Sequence, residues 1–282
     1  MLRREDIRIR DPFVLTDIEK KLYYVYGTTE LDNAYGTGAK FSVYVTKDLE
    51  LFEGPFTVFD GKEQEFWGTK DFWAAEVHKY NGAYYLFGSF KADHRGRATQ
   101  ILESKTPLGP FRPISEKPQT PQNWECLDGT LWVENGVPYM VFCHEWVQCG
   151  DGEICAVELS QDLKSAVGEP FLLFKASDNK SVTSIVDGEI KMVTDGPFLF
   201  EEDGKVNMIW SSFVKGKYVV LKAVAHNLKG PWKHLDSQFS FDGGHAMIFT
   251  AFDGKHYFSL HSPNTLPYER MMFIEYSKAL RN

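Results

Sequence analysis

The stretch Tyr80-Asn81-Gly82-Ala83-Tyr84-Tyr85-Leu86-Phe87-Gly88-Ser89 decides how the rest of the chain is read. Asn-Gly supplies the positive φ angles of a tight hairpin turn, and the aromatic and aliphatic run behind it is a strand. The element returns as Glu134-Asn135-Gly136 leading into Tyr139-Met140-Val141-Phe142, as Asp203-Gly204-Lys205-Val206-Asn207-Met208-Ile209-Trp210, and as Asp253-Gly254-Lys255-His256-Tyr257-Phe258. A copy without the Gly turn, Leu22-Tyr23-Tyr24-Val25-Tyr26-Gly27-Thr28, opens the chain. A second element closes each of the first four units: Gly54-Pro55-Phe56, Gly109-Pro110-Phe111, Gly168-Glu169-Pro170-Phe171 and Gly230-Pro231-Trp232, at intervals of 55, 59 and 62 residues. Five hairpins with almost no helical periodicity between them predict an all-β chain of small sheets repeated about an axis. That is a five-bladed β-propeller, in one domain over residues 1–282. Helices are scarce, and Lys278-Ala279-Leu280 is at most a terminal turn.

Composition narrows the function. Hydrophobic residues make up 43% and charged residues 25%, as in an ordinary globular protein. Aromatics are abundant, with 22 Phe, 13 Tyr and 7 Trp. Most must fill the core between sheets, Trp132, Trp210 and Trp232 among them, which leaves a few rings to serve as ligand platforms. The net charge of −8 comes without a run of five like charges, which argues against a nucleic-acid or membrane surface and suits a neutral, polar substrate. Cys126, Cys143, Cys149 and Cys155 form no C-x-x-C pair, so they read as free thiols rather than a zinc site. No apolar segment follows Met1-Leu2-Arg3-Arg4-Glu5, and no stretch is apolar enough to span a bilayer; the chain reads as cytoplasmic, or as secreted if a leader has been removed. There is no G-x-S-x-G elbow, phosphate-binding loop or H-E-x-x-H. Nothing in the sequence bears on oligomeric state.

Upstream of each hairpin strand lies a short strand with a polar tag: Arg10-Asp11-Pro12-Phe13, Trp73-Ala74-Ala75-Glu76-Val77-His78, Leu127-Asp128-Gly129-Thr130, Thr194-Asp195-Gly196-Pro197, and Gly243-Gly244-His245-Ala246-Met247. As the innermost strands of their blades, they would carry Asp11, Glu76, Asp128, Asp195 and His245 to one channel mouth at matching height. Singly, Asp-Pro and Asp-Gly are turn formers. Recurrence in one register is what a turn role leaves unexplained, and converging titratable groups are costly unless they hold a ligand or perform chemistry.

This ordered set, over nearly the whole chain, resembles glycoside hydrolase family 43, whose members are five-bladed propellers. The resemblance implies hydrolysis with inversion, with Asp11 as the general base that activates water, Asp195 as the general acid, and Asp128 as the carboxylate that orients the acid and tunes its pKa. At position 195 the family commonly has Glu. Asp is one methylene shorter, which draws the carboxyl back by about 1.5 Å. Glu145, in Cys143-His144-Glu145-Trp146, and Glu125, in Trp124-Glu125-Cys126, are therefore alternative proton donors. Trp73, Glu76, Trp146, His245 and Arg270 are expected to touch the sugar, Arg270 because relatives often place an arginine there. His78, His144 and His261 read as structural histidines. The resemblance further implies an axial Ca²⁺ or Na⁺ near His245, held through waters and structural in role, with no cofactor required for the reaction. The expected partner is an oligosaccharide built of pentoses or furanoses, of the arabinofuranosidase or xylosidase type, with galactofuranosidase behind these. A propeller that binds carbohydrate but has lost turnover is the alternative, and the short acid is its motive.

Overall fold

The computed structural model of the chain describes residues 1–183, 185–186, 189–190 and 192–276. The expected turn at Lys278–Leu280 lies outside them. The remainder is nearly all β, in five radial sheets, as the hairpin repeat requires. Blade 1 runs outward through Arg10–Asp17, Leu22–Thr28, Lys40–Thr46 and Leu51–Asp60, with Leu2–Arg3 on its outer edge. Blade 2 is Lys70–Tyr80, Ala83–Ala92, Arg95–Ser104 and Arg112–Pro113. Blade 3 is Cys126–Glu134, Val137–His144, Glu153–Leu159 and Ala166–Lys175; blade 4 is Asp195–Glu202, Lys205–Val214, Lys217–Ala225 and Lys233–Leu235. Blade 5 has three strands, Gly244–Thr250, His256–Ser262 and Arg270–Glu275. The Asn-Gly and Asp-Gly pairs sit at the hairpins, and the Gly-Pro segments lie in or just before the outermost strands. Among the described residues, no helix is long and apolar enough to cross a membrane.

Flat rings fill the wedges between blades. Phe41 and Phe59 of blade 1 meet Phe72 and Phe90 of blade 2, with Phe72 and Phe90 edge to face at 4.9 Å. Between blades 3 and 4, Phe174 lies 5.5 Å from the fully buried Trp210. Most of the aromatic excess is core, as expected.

The N-terminal segment closes the ring. Arg8 forms an antiparallel bridge with Arg270 on the outer strand of blade 5, and the Ile9 N–H donates to the Glu269 carbonyl. The fully buried Glu269 carboxylate takes Arg8 Nε at 3.3 Å and Arg10 Nη1 at 3.2 Å. Arg270 belongs to this seam: its guanidinium donates to the carbonyls of Glu5, Pro267 and Glu269.

One irregularity recurs in every innermost strand. Arg10 opposes Thr28 and Phe13 opposes Tyr26, three residues against two. The same step separates Trp73 from Glu76, Leu127 from Thr130, Asp195 from Phe198 and Gly244 from Met247. Each blade thus carries a one-residue β-bulge, which bends the strand and re-aims its side chains. The first inserted residue is left-handed in all five: Asp11 (φ 55°), Ala74 (50°), Asp128 (54°), Gly196 (49°) and His245 (53°). These are the true equivalents. The expected register was off by two residues in blade 2, where Ala74 rather than Glu76 holds the position, and by one in blade 4, where Gly196 does. Period-two counting cannot see an inserted residue.

Glu269→Ala should leave two arginines facing an empty seam and cost about 3 kcal/mol, since breaking a buried ion pair from one side is expensive. Urea unfolding monitored by tryptophan fluorescence measures it; a midpoint equal to wild type would refute the closure role.

Candidate active site

Because the bulge interrupts alternation, an inner strand can turn two successive residues to the axis, as Arg10-Asp11 and Leu127-Asp128 do. The residues before the bulge (Arg10, Trp73, Leu127, Asp195) and three left-handed residues (Asp11, Asp128, His245) line one cavity of about 270 Å³. Thr28, Glu145, Trp146 and Tyr218 complete it. Asp11, Asp128 and Asp195, far apart in sequence, therefore meet at a single pit. Asp11 and Asp128 are buried, while Asp195 is partly open to the cavity.

Each left-handed residue is held by its neighbouring blade. The Ala74 N–H donates to Thr28 Oγ1 at 2.9 Å, the Asp128 N–H to Ser89 Oγ at 2.9 Å, the His245 N–H to Ser211 Oγ at 2.7 Å, and the Asp11 N–H to His261 Nδ1 at 3.2 Å. Those acceptors all occupy the residue of the second strand opposite the last one before the bulge. In blade 3 that residue is Cys143, a poor acceptor, and the Gly196 N–H turns instead to Asp128 Oδ2 at 3.0 Å. Gly196 must be glycine: its φ is left-handed, and a Cβ there would stand 2.7 Å from the His245 ring.

The surroundings separate the two reacting carboxyls electrically. Burial pushes the Asp11 carboxyl upward, but His245, Arg10 and His261, with the Thr28 hydroxyl donating at 2.7 Å, outweigh it and hold Asp11 well below the usual carboxylate range. Asp11 stays ionised. Burial, then the charge of Asp128, raises Asp195 to about 7 against the lesser pull of His245 and of the Tyr218 hydroxyl, which donates at 3.1 Å. Asp128 is pushed up by burial and by Asp11. The cavity can thus present an ionised carboxylate from blade 1 and a protonated one from blade 4.

Residues 6–277 match the family described as "Glycosyl hydrolases family 43". The chain belongs to glycoside hydrolase family 43. The crystal structure of the endo-arabinase from Bacteroides thetaiotaomicron VPI-5482 is similar at 40% identity and a TM-score of 0.90, over 98% of this chain and 97% of that one. A thermostable family-43 glycoside hydrolase is 25% identical, with a TM-score of 0.80 over 96% and 90% of the two chains. The α-L-arabinofuranosidase from Lactobacillus brevis, at 16% identity and a TM-score of 0.76 over 98% and 94%, shares the fold. No curated protein matches the chain. As a member of family 43 the chain is a glycosidase with a carbohydrate substrate.

Against this family-43 frame the other expected site residues divide. Trp73 and Trp146 line the cavity. Trp73 is fixed by its Nε1 donating to the Asn33 carbonyl at 2.6 Å and by the Arg97 guanidinium 4.2 Å over its ring. Glu145 also lines the cavity; burial pushes its carboxyl up, while Arg97, which pairs with it and with Asp71, pulls the other way where Asp195 faces another carboxylate. Glu125 lies off the cavity, tied to Lys91 at 3.2 Å and to the Arg97 N–H at 2.8 Å. Glu76 is buried away from the lining and paired with His78 at 3.0 Å. Arg270 is the clearest correction: it serves ring closure, and the arginine in the cavity is Arg10. Sequence reasoning assigned no role to Arg10, Thr28 or Tyr218. Arg10 could have been found from its register match to Trp73 and Asp195, whereas Tyr218 opens a third strand and carries no signal.

His245 acts here as a partner of carboxylates. Its Nδ1 is 3.2 Å from Asp11 and 3.8 Å from Asp128. Among the described residues the one convergent group is His144, Cys149 and Glu153, within 4.8 Å of one another. That knot already has partners, His144 bridging Glu153 and Gln148, and Lys175 lying 3.0 Å from Glu153.

Asp128→Asn removes the like charge and should lower the Asp195 pKa from about 7 toward the ordinary carboxylate value. Carboxyl ¹³C NMR titration reads this directly; an unmoved midpoint would show that Asp128 does not tune the acid.

Proposed function

We propose that the cavity hydrolyses glycosidic bonds of pentose-containing oligosaccharides with inversion at the anomeric carbon, α-L-arabinose linkages first and xylose linkages second. The observation that carries it is the pairing, in one pit, of a carboxyl held ionised (Asp11) with one raised to about 7 (Asp195). An inverting enzyme protonates the leaving oxygen from one side while a carboxylate takes a proton from water on the other. Asp195 is the donor in this reading. Asp128, whose Oδ2 is held by the Gly196 N–H, keeps that donor protonated. Asp11, ionised at neutral pH, takes the proton of the attacking water. Trp73 and Trp146 supply rings for the sugar faces, and Arg10, Glu145 and His245 supply hydrogen-bonding groups for hydroxyls. No cofactor enters the scheme. Arabinose is placed first because the 40% identical relative is named as an endo-arabinase.

The shortness of Asp195 favours a second reading, a propeller that binds carbohydrate without turning it over. The two separate on ¹H NMR of the reaction with arabino- and xylo-oligosaccharides. The expected result is release of sugar of inverted anomeric configuration, with Asp11→Ala lowering kcat on the order of 10²–10⁴-fold, the range of acid–base catalysis. Retained configuration refutes the mechanism; binding without release by the wild type establishes the second reading.

A further inference from the structure

Asp242 lies between the outer strand of blade 4 and the inner strand of blade 5, half-buried and outside the cavity lining. Each oxygen of its carboxyl accepts a backbone N–H from a different blade. Oδ1 takes the N–H of Tyr218 at 3.0 Å, and Oδ2 takes that of Asn264 at 2.8 Å. Its own carbonyl accepts the Ser262 hydroxyl at 2.7 Å, and the adjacent Gly243 N–H donates to the Tyr218 carbonyl at 2.8 Å. Both residues so held lead to a reacting carboxyl.

One arm runs to the acid. Tyr218, fixed at its backbone by Asp242, extends its hydroxyl to Asp195 Oδ2 at 3.1 Å. The other arm runs to the base. Asn264 Oδ1 meets His261 Nε2 at 3.1 Å, and His261 Nδ1 accepts the Asp11 N–H at 3.2 Å. Since Nδ1 is an acceptor, the imidazole proton sits on Nε2 and is donated to Asn264, which orients the ring. The arms also touch each other: the Tyr218 and His261 rings stack at 5.7 Å with 23° between their planes.

We propose that Asp242 is a positioning residue of the hydrolytic site, one carboxylate outside the cavity that sets the place of the base and the acid together; this rests on the roles given above to Asp11 and Asp195. Only a carboxylate suits the task. An asparagine side chain offers one acceptor oxygen and an amide that cannot accept, so it holds one arm and drops the other.

Asp242→Asn is the test, with kcat, KM and the full pH–rate profile measured beside thermal unfolding. A displacement of about 1 Å at a reacting group can cost about a hundredfold, so kcat should fall roughly tenfold to a hundredfold with KM little changed. Tyr218→Phe removes a donor that favours the charged form of Asp195, and should move only the alkaline limb, upward. Asn264→Ala frees the His261 ring that accepts the Asp11 N–H, and should lower kcat about tenfold with the alkaline limb unmoved. Asp242→Asn should reproduce the single-arm variant whose arm it drops, and Asp242→Ala both. If the Asp242 variants do not fold, the single-arm variants decide alone. Lower thermal stability with wild-type kcat per folded molecule and an unmoved alkaline limb overturns the proposal, as does an unmoved limb in Tyr218→Phe beside wild-type kcat in Asn264→Ala. Asp11→Ala and Asp195→Ala run in parallel. Wild-type turnover in either sinks the base and acid assignment and this proposal with it. Two inactive controls beside an unaffected Asp242 series sink this proposal only.

Discussion

The site depends on one extra residue in each innermost strand. A regular strand sends successive side chains to opposite faces, so it could offer the axis only every second residue. The bulge lets two neighbours turn inward, as Arg10-Asp11 and Leu127-Asp128 do, and with Trp73, Asp195 and His245 from the other blades these make a lining dense in polar groups. A left-handed residue other than glycine costs on the order of 1–2 kcal/mol. Four of the five inserted residues are not glycine, and each is held by a hydrogen bond from its N–H to the neighbouring blade. The strain is local and its compensation comes from the next sheet, so the ring must close for the pit to keep its shape. The Arg8–Glu269–Arg10 seam is therefore part of the site's construction, though only Arg10 reaches the cavity.

The exception in this scheme is where the chemistry is set. With Cys143 in the place taken elsewhere by Thr28, Ser89, Ser211 or His261, the Gly196 N–H has no side-chain acceptor in the neighbouring second strand and binds Asp128 instead. That contact fixes Asp128 against the segment carrying Asp195. Burial, and after it the charge of Asp128, makes the proton on Asp195 hard to remove. Asp11 sits among His245, Arg10 and His261, so the same cavity favours the opposite state there. Position within a blade, rather than residue type, separates two aspartates with the same side chain.

Much of this was legible in the sequence. The Asn-Gly and Asp-Gly hairpins and the polar-tagged strands before them led to five blades, and Asp11, Asp128, Asp195, Trp73, Trp146 and His245 all line the cavity. The register did not survive, because the inserted residue leaves no mark in composition: Glu76 and Asp195 were counted as equivalents of Asp11 when Ala74 and Gly196 are. Arg270 was misread because nothing in the C-terminal sequence shows that the N-terminal segment pairs against its strand. Arg97 and Asp242 act through contacts between neighbouring blades, and Tyr218 reaches Asp195 from the third strand of the same blade, so sequence separation hides all three.

The most direct test is a crystal structure of the Asp11→Asn variant with an arabino-oligosaccharide bound. The account predicts the anomeric carbon between positions 11 and 195, with the Asp195 carboxyl on the glycosidic oxygen and the substituted amide at position 11 facing a water on the opposite side of the sugar. A glycosidic oxygen seated against Glu145, or a sugar bound away from both aspartate positions, would contradict it.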